Sequence, residues 1–403
     1  MSYDLHVYSR RQPRAADLEA FLATEPILTA DGRLKRDGYV LLSDTAGVHA
    51  EVDGPARTEA EDLPDAANGA IRVSGWLVQV SIKPSTDTQW PMAFATHLAQ
   101  ASEGVVYDPQ EDRVAWPAGF QPRDPESGEE RISEVELAWF TAIPRGDEAV
   151  PRRFLAAVEQ AAPEALPRRY GDVEPLPHRF EGPTAKDEFV TRWQEVAATY
   201  MPMLFWTATR PCFGGTGWMS TTHHADAPKL GRPITKISLS LDGRALARDP
   251  QLTERMIGVF LDLGTSLSCV YAAGTVQRDL IVRRGRSSFD RRTESSPLPY
   301  ASRWMGLPVA PTWLAWFGHP YADLVRPTVA PFIREERHGG LFVRLADEPA
   351  NRDQLAGLFP ALPLDLIARR KNQPAAWEPE ARYSFADSPP SQVATTVPDF
   401  NPS

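Results

Sequence analysis

Ile71-Arg72-Val73-Ser74-Gly75-Trp76-Leu77-Val78-Gln79-Val80-Ser81-Ile82 reads as a long strand. Its apolar residues recur at every second position, the period of a half-buried strand. The phase changes at Gly75: Ile71 and Val73 fall on one register, Trp76, Val78, Val80 and Ile82 on the other. A glycine at such a change predicts a β-bulge. Downstream, Pro91 opens a helix with Phe94, Ala95 and Leu98 on one face, and Gly104 to Tyr107 returns as a strand turned by Asp108-Pro109. Upstream, residues 53–70 are rich in acid, alanine and proline and read as a solvated loop, and Tyr39 to Leu42 is a short strand. Further upstream, Pro13 to Leu22 is a helix with Leu18, Phe21 and Leu22 on one stripe, after an alternating strand at Tyr3, Leu5 and Val7. In order this is strand, helix, strand, strand, helix, strand, the ferredoxin-like split βαβ plan.

The chain of 403 residues predicts two or three domains. Residues 1–120 form the acidic ferredoxin-like domain, an antiparallel sandwich. Residues 121–135, charged and proline-rich, form a linker; 136–372 form a larger mixed α/β sandwich; 373–403 are a proline-rich tail. The class is α+β. In the larger region Glu136 to Ile143 is a strand buried on both faces, Pro151 starts a helix, and Lys186 to Tyr200 is a second helix. Strands follow at Met203 to Thr209 and Ile234 to Leu241, a helix at Leu252 to Leu263, strands at Trp313 to Phe317 and Gly340 to Leu345, and a closing helix at Gln354 to Ala368. This rhythm repeats that of the first region with longer insertions, as a distant duplication would, although no residue-level repeat is visible.

Charge is unevenly spread. Residues 1–130 hold 22 carboxylates and 11 basic side chains; residues 131–403 hold 31 and 32. A surface of that sign repels phosphate backbones, which argues against nucleic acid, and attracts a basic protein. The opening residues are strand-like and the apolar runs are short, so neither a signal peptide nor a membrane span is expected. With two cysteines only, the cytoplasm is the expected compartment.

Candidate chemistry is sparse. Thr221-Thr222-His223-His224-Ala225-Asp226 is the sharpest polar cluster. His223, His224 and Asp226 supply base and ligand chemistry, with His178 or His319 as a further ligand, and this carries the alternative of an enzyme at the domain junction. Cys212 opens a glycine-rich turn, Phe213-Gly214-Gly215-Thr216-Gly217, and is a nucleophile only if a base lowers its pKa. No zinc, P-loop, dinucleotide, hydrolase or kinase signature is present, so no metal or cofactor is implied. Arg283, Arg284 and Arg286 belong to the densest basic run, an anion patch or a solvated hairpin. Trp304, Trp313, Trp316 and Tyr321 have the composition of a protein–protein hot spot and equally of a core. A structural or assembly component is a further alternative.

Leu166-Pro167-Arg168-Arg169-Tyr170-Gly171-Asp172-Val173-Glu174-Pro175 and the Trp-Leu-x-Trp-Phe-Gly-x-Pro-Tyr run at 313–321 resemble bacterial immunity-type proteins. These neutralise toxins of contact-dependent or type VI secretion systems. The resemblance covers fewer than about 20 residues. It implies a non-catalytic binder that masks a toxin's active site and brings no catalytic residues with it.

Overall fold

The computed structural model describes residues 3–36, 38–45, 47, 49–59, 62–64, 67, 75–82, 89–111, 113–115, 129–173, 175–219, 232–283, 286–289, 303–359 and 361–368. The chain is α+β and divides into two compact units. Unit 1 is Met1–Glu130 with Ile281–Ser288; unit 2 is Arg131–Leu280 with Phe289–Ser403.

Unit 1 contains β1 (Tyr3–Ser9), α1 (Ala15–Thr24), β2 (Thr29–Gly32), β3 (Tyr39–Ser43), β4 (His49–Thr58), β5 (Gly75–Ile82), α2 (Gln89–Ala101), β6 (Gly104–Asp108) and β7 (Arg113–Ala115). The strands form one sheet in the order β2-β3-β4-β5-β1-β6-β7, with every pairing antiparallel. Its centre, β6-β1-β5-β4, is the split βαβ arrangement expected from the order of elements. Alternation decides which face is covered. Leu5 and Val7 of β1 and Val78, Val80 and Ile82 of β5 pack under Leu18 and Phe21 of α1 and Phe94 and Leu98 of α2. Leu5 pairs with Val80 and Val7 with Val78 across the ladder.

One segment corrects the sequence reading. Residues 53–58, expected in a loop, belong to β4, which pairs with β5 from Ala50↔Ile82 to Thr58↔Gly75. The acidic residues point outward while Ala50 and Val52 face the core. Gly54-Pro55 sits at a register shift between Asp53 and Ala56, a bulge that accommodates a proline without ending the strand. The bulge expected at Gly75 involves residues 71–74, which lie outside the described residues.

Unit 2 begins with β8 (Glu129–Thr141), which takes in the second half of the stretch read as a linker, then α3 (Ala149–Ala161), β9 (Arg169–Gly171), β10 (His178–Arg179) and α4 (Ala185–Ala197). It continues with β11 (Met203–Thr207), β12 (Cys212–Met219), β13 (Arg232–Pro233), β14 (Thr235–Asp242), α5 (Gly243–Arg248), α6 (Pro250–Ser266) and β15 (Tyr271–Arg283); the last three residues of β15 and all of β16 (Arg286–Phe289) but Phe289 belong to unit 1. Last come β17 (Arg303–Trp304), β18 (Leu314–Phe317), α7 (Tyr321–Val329), β19 (Ile333–Arg337), β20 (Gly340–Arg344) and α8 (Arg352–Leu355). The large sheet runs β10-β9-β11-β12-β14-β8-β15-β18-β20-β19, with β16 also on β15, and β13 pairs with β17 apart from it. α6 opens with Pro250 behind Asp249, whose side chain accepts from the Gln251 and Leu252 amides at 2.9 and 3.0 Å.

The order β9-β11-β12-β14-β8-β15 repeats β2-β3-β4-β5-β1-β6, with α3 after β8 as α1 follows β1, and α6 joining β14 to β15 as α2 joins β5 to β6. The central pairing is also alike: Leu137 opposes Leu239 and Trp139 opposes Ile237 on the helix side. Unit 2 adds β10 and α4 between β9 and β11, and a far wing of β18, β20 and β19.

Two readings of unit 2 change. The glycine-rich turn at 213–217 is β12, an interior strand. A Cβ on Gly217 would lie 2.0 Å from Cζ3 of Trp193, and one on Gly215 2.3 Å from Cζ2 of Trp206, so the missing side chains make room for two indoles. The long closing helix is not formed. Asn351 caps the four-residue α8, and a 3-10 turn at Leu364–Leu366 follows Pro363, where the chain is tied to Leu307 by two backbone bonds of 2.8 Å.

Candidate functional site

The aromatic residues proposed as a docking patch are core. Trp304, Trp313, Trp316 and Tyr321 are no more than 2% exposed. Their polar atoms are used internally: Trp304 Nε1 donates to the Tyr321 hydroxyl at 2.7 Å, Trp313 Nε1 to Ala346 O at 2.9 Å, and Trp316 Nε1 to Cys269 O at 3.3 Å. An indole sealed in this way presents no surface to a partner. Cys212 is also buried; burial, aided by the Glu164 carboxylate, pushes its thiol up to about 12, the opposite of what a nucleophile needs. His223, His224, Asp226 and Arg284 lie outside the described residues, while Arg283 ends β15 and Arg286 begins β16. Among the described residues no three or more His, Cys, Asp or Glu side chains are grouped to hold a metal.

What the fold assembles instead is a pair of sheet faces turned away from the helices. In unit 1, register places Asp31 beside Leu41, Leu41 beside Glu51 and Tyr39 beside Asp53. The row continues through Ser81 and Gln79 to Asp4 and His6. Asp31, Glu51 and Asp53 are exposed, and Tyr39, opposite Asp53, is 47% exposed. The charges act on one another. Burial first, then the Glu51 carboxylate, raises the Asp53 carboxyl, and desolvation with Glu51, Asp53 and Asp31 raises the Tyr39 phenol. Toward the sheet centre, His6 packs near the rings of Tyr8 and Tyr107 at 6.0 and 6.2 Å. Burial lowers its pKa against the pull of Asp4. Beyond it the face is closed by a small apolar cluster of Tyr8, Leu63, Ala67, Leu77 and Val105. The open part is thus the β2-β3-β4 wing.

In unit 2 the corresponding face carries Glu134, Glu136, Lys236, Ser238, Ser240 and Asp242, with Glu134 opposite Asp242 and Glu136 opposite Ser240. Here charge is used within the fold. Lys236 Nζ lies 2.6 Å from Glu136 Oε1, and Asp242 caps α5 by accepting from the Arg244 amide at 2.9 Å. Glu134 is only 8% exposed. Burial pushes its carboxyl up to about 7, against a hydrogen bond from Ser240. Sequence reading missed this row because it treated the strand from residue 136 as buried on both faces. The alternation of Glu134 and Glu136 with Val135 and Leu137 was the available signal.

No protein-family model matches the chain, and none of the curated proteins matches it. Among solved structures it is similar to a type VI secretion system protein of Pseudomonas aeruginosa, at 12% identity and a TM-score of 0.34, over 66% of this chain and 82% of that one. At that score the two share too little geometry for the match to bear on function. Among the described residues no helix is long and apolar enough to cross a membrane.

Proposed function

We propose that this protein is a non-catalytic binder of a cationic protein, of the immunity type, and that it neutralises a toxin by occluding its working surface. The observation that carries the reading is the open wing of unit 1, where register sets the exposed Asp31, Glu51 and Asp53 on one face with the exposed Tyr39, and where burial, then the Glu51 carboxylate, raises the Asp53 carboxyl. Three carboxylates gathered on one face attract an incoming cation, which speeds encounter. An exposed tyrosine offers amphipathic contact area at small entropic cost. Unit 2, whose Trp304, Trp313, Trp316 and Tyr321 are consumed in its core, acts as the scaffold in this reading.

The test is capture from lysate of the native host at low salt on the immobilised full chain, run beside the triple variant Asp31→Lys/Glu51→Lys/Asp53→Lys. The expected result is a basic protein released by moderate salt, absent from the variant, and inactive while bound. Retention of the same partner by the variant, or no salt-sensitive partner at all, overturns the reading.

A further inference from the structure

The two units differ at one equivalent edge. In unit 2 the strand corresponding to β2 is β9, and its outer side is taken by β10, an extended His178-Arg179 segment. The addition is antiparallel, with His178 opposite Tyr170 and Arg179 opposite Arg169, and it continues in a bond from the Phe180 amide to Arg168 O at 3.0 Å. The His178 ring stacks on Tyr170 at 5.2 Å. The fold therefore already shows what this edge accepts: a short, cationic, extended segment with an aromatic neighbour beneath it.

In unit 1 the same edge is bare. All four residues of β2, Thr29-Ala30-Asp31-Gly32, are exposed, and among the described residues nothing pairs with their outer side. Their pairing to β3 is unbroken from Thr29↔Ser43 to Gly32↔Val40, so alternate amides and carbonyls of the strand face outward, up to Gly32, whose φ of +105° ends the extended run. Among the described residues the outermost strands β7, β10 and β19 are guarded. β19 is broken by a register shift and carries Arg334, Glu335, Glu336 and Arg337; β7 carries Arg113; β10 ends in Arg179. Charged side chains, arginine among them, and bulges are common ways to discourage strand addition. β2 has neither basic residue nor bulge, and its one charge is Asp31, beside the Glu51 and Asp53 wing.

We infer that β2 is a strand-addition site: an extended, arginine- or lysine-bearing segment of the partner pairs antiparallel with Thr29–Gly32 as β10 pairs with β9. Backbone hydrogen bonds then supply the register, and the carboxylate wing beneath supplies the preference for basic side chains. The inference rests on the binder reading above and adds the mode of contact.

The test uses the full chain and a fluorescein-labelled seven-residue peptide alternating arginine and valine, followed by anisotropy at low salt. A second peptide of the same sequence carries N-methyl groups on its three central amides, which keeps the charge and removes strand pairing on both sides. The expected result is binding of the parent, at least tenfold weaker binding of the methylated peptide, and slowed hydrogen exchange at the outward-facing amides among residues 29–32 with the parent alone. Equal binding of the two peptides, or protection at another edge, overturns strand addition while leaving electrostatic docking on the wing intact. Binding of neither peptide overturns strand addition, and the capture experiment then decides the binder reading separately.

Discussion

Units 1 and 2 share one strand order and treat it in opposite ways. At the position next to the central pair, unit 1 has β4, with Ala50 and Val52 turned to the core and Glu51 and Asp53 to solvent. Unit 2 has β12 there, with Gly215 and Gly217 on the core side, opposite Leu239 and Ile237. The difference follows from the inserted helix α4, whose Trp193 lies against Gly217. A topology fixes where strands go; the size of the residue above each position decides which side chain the strand can keep. Unit 2 spends its faces on aromatic packing and internal ion pairs. Unit 1 leaves one wing polar and open.

The strongest way to break this comparison is to exchange the two strands' core residues. Gly217→Val drives a branched side chain into Trp193 and is expected to destabilise unit 2 by about 3 kcal/mol or more, seen as an earlier denaturant midpoint in tryptophan fluorescence. The reciprocal Val52→Gly is expected to cost unit 1 about 2–3 kcal/mol through lost burial and added chain freedom. A Gly217→Val protein as stable as the parent would remove the packing explanation.

Next in size is Glu134→Gln. The folded chain holds the Glu134 proton up to about pH 7, whereas the unfolded carboxyl releases it near 4.5. Stability therefore falls as pH rises between those values and stays lower above them. Glutamine removes that dependence. The variant is expected to exceed the parent by about 3 kcal/mol above pH 7 and to match it below about pH 4.5, in urea melts across pH. An unchanged difference at both ends would mean that the carboxyl is solvated or paired.

Smaller effects sharpen the assignment of surface and core. Trp304→Phe loses the bond to the Tyr321 hydroxyl and some buried area, and is expected to cost about 1–2 kcal/mol of stability with no change in partner affinity. Reduced affinity at unchanged stability would return Trp304 to the docking surface. The charge reversal of Asp31, Glu51 and Asp53 is expected to do the reverse: about tenfold weaker association at low salt, converging with the parent at high salt, and stability within about 0.5 kcal/mol. Titration calorimetry at two ionic strengths reads both.

The alternating strands and striped helices of both units were legible because burial on one face leaves a period of 2 or 3.6. What failed were positions where a residue's ordinary meaning was overridden by its neighbours. Gly54-Pro55 reads as a loop and is a bulge within β4; Gly214, Gly215 and Gly217 read as a turn and form an interior strand shaped by tryptophans distant in sequence. The candidate site divides in the same way. The acidic excess was visible by counting. The gathering of Asp31, Glu51 and Asp53 on one face with Tyr39 was not, because it depends on register among three strands, two of which were not read. The Trp304 and Trp313 to Tyr321 cluster was misleading for a plain reason: hot spots and cores draw on the same aromatic residues.

An exposed strand edge is normally a hazard, since two copies of a protein can zip together along it. In β2 the single ionised side chain, Asp31, sits at the third of only four positions. Antiparallel pairing of two such edges brings the two aspartates within a residue or two of each other, and like charges across a ladder oppose it. One carboxylate can in this way discourage homotypic fibres while leaving the lane free for a segment of opposite sign, so that solubility and selectivity arise from the same atom pair.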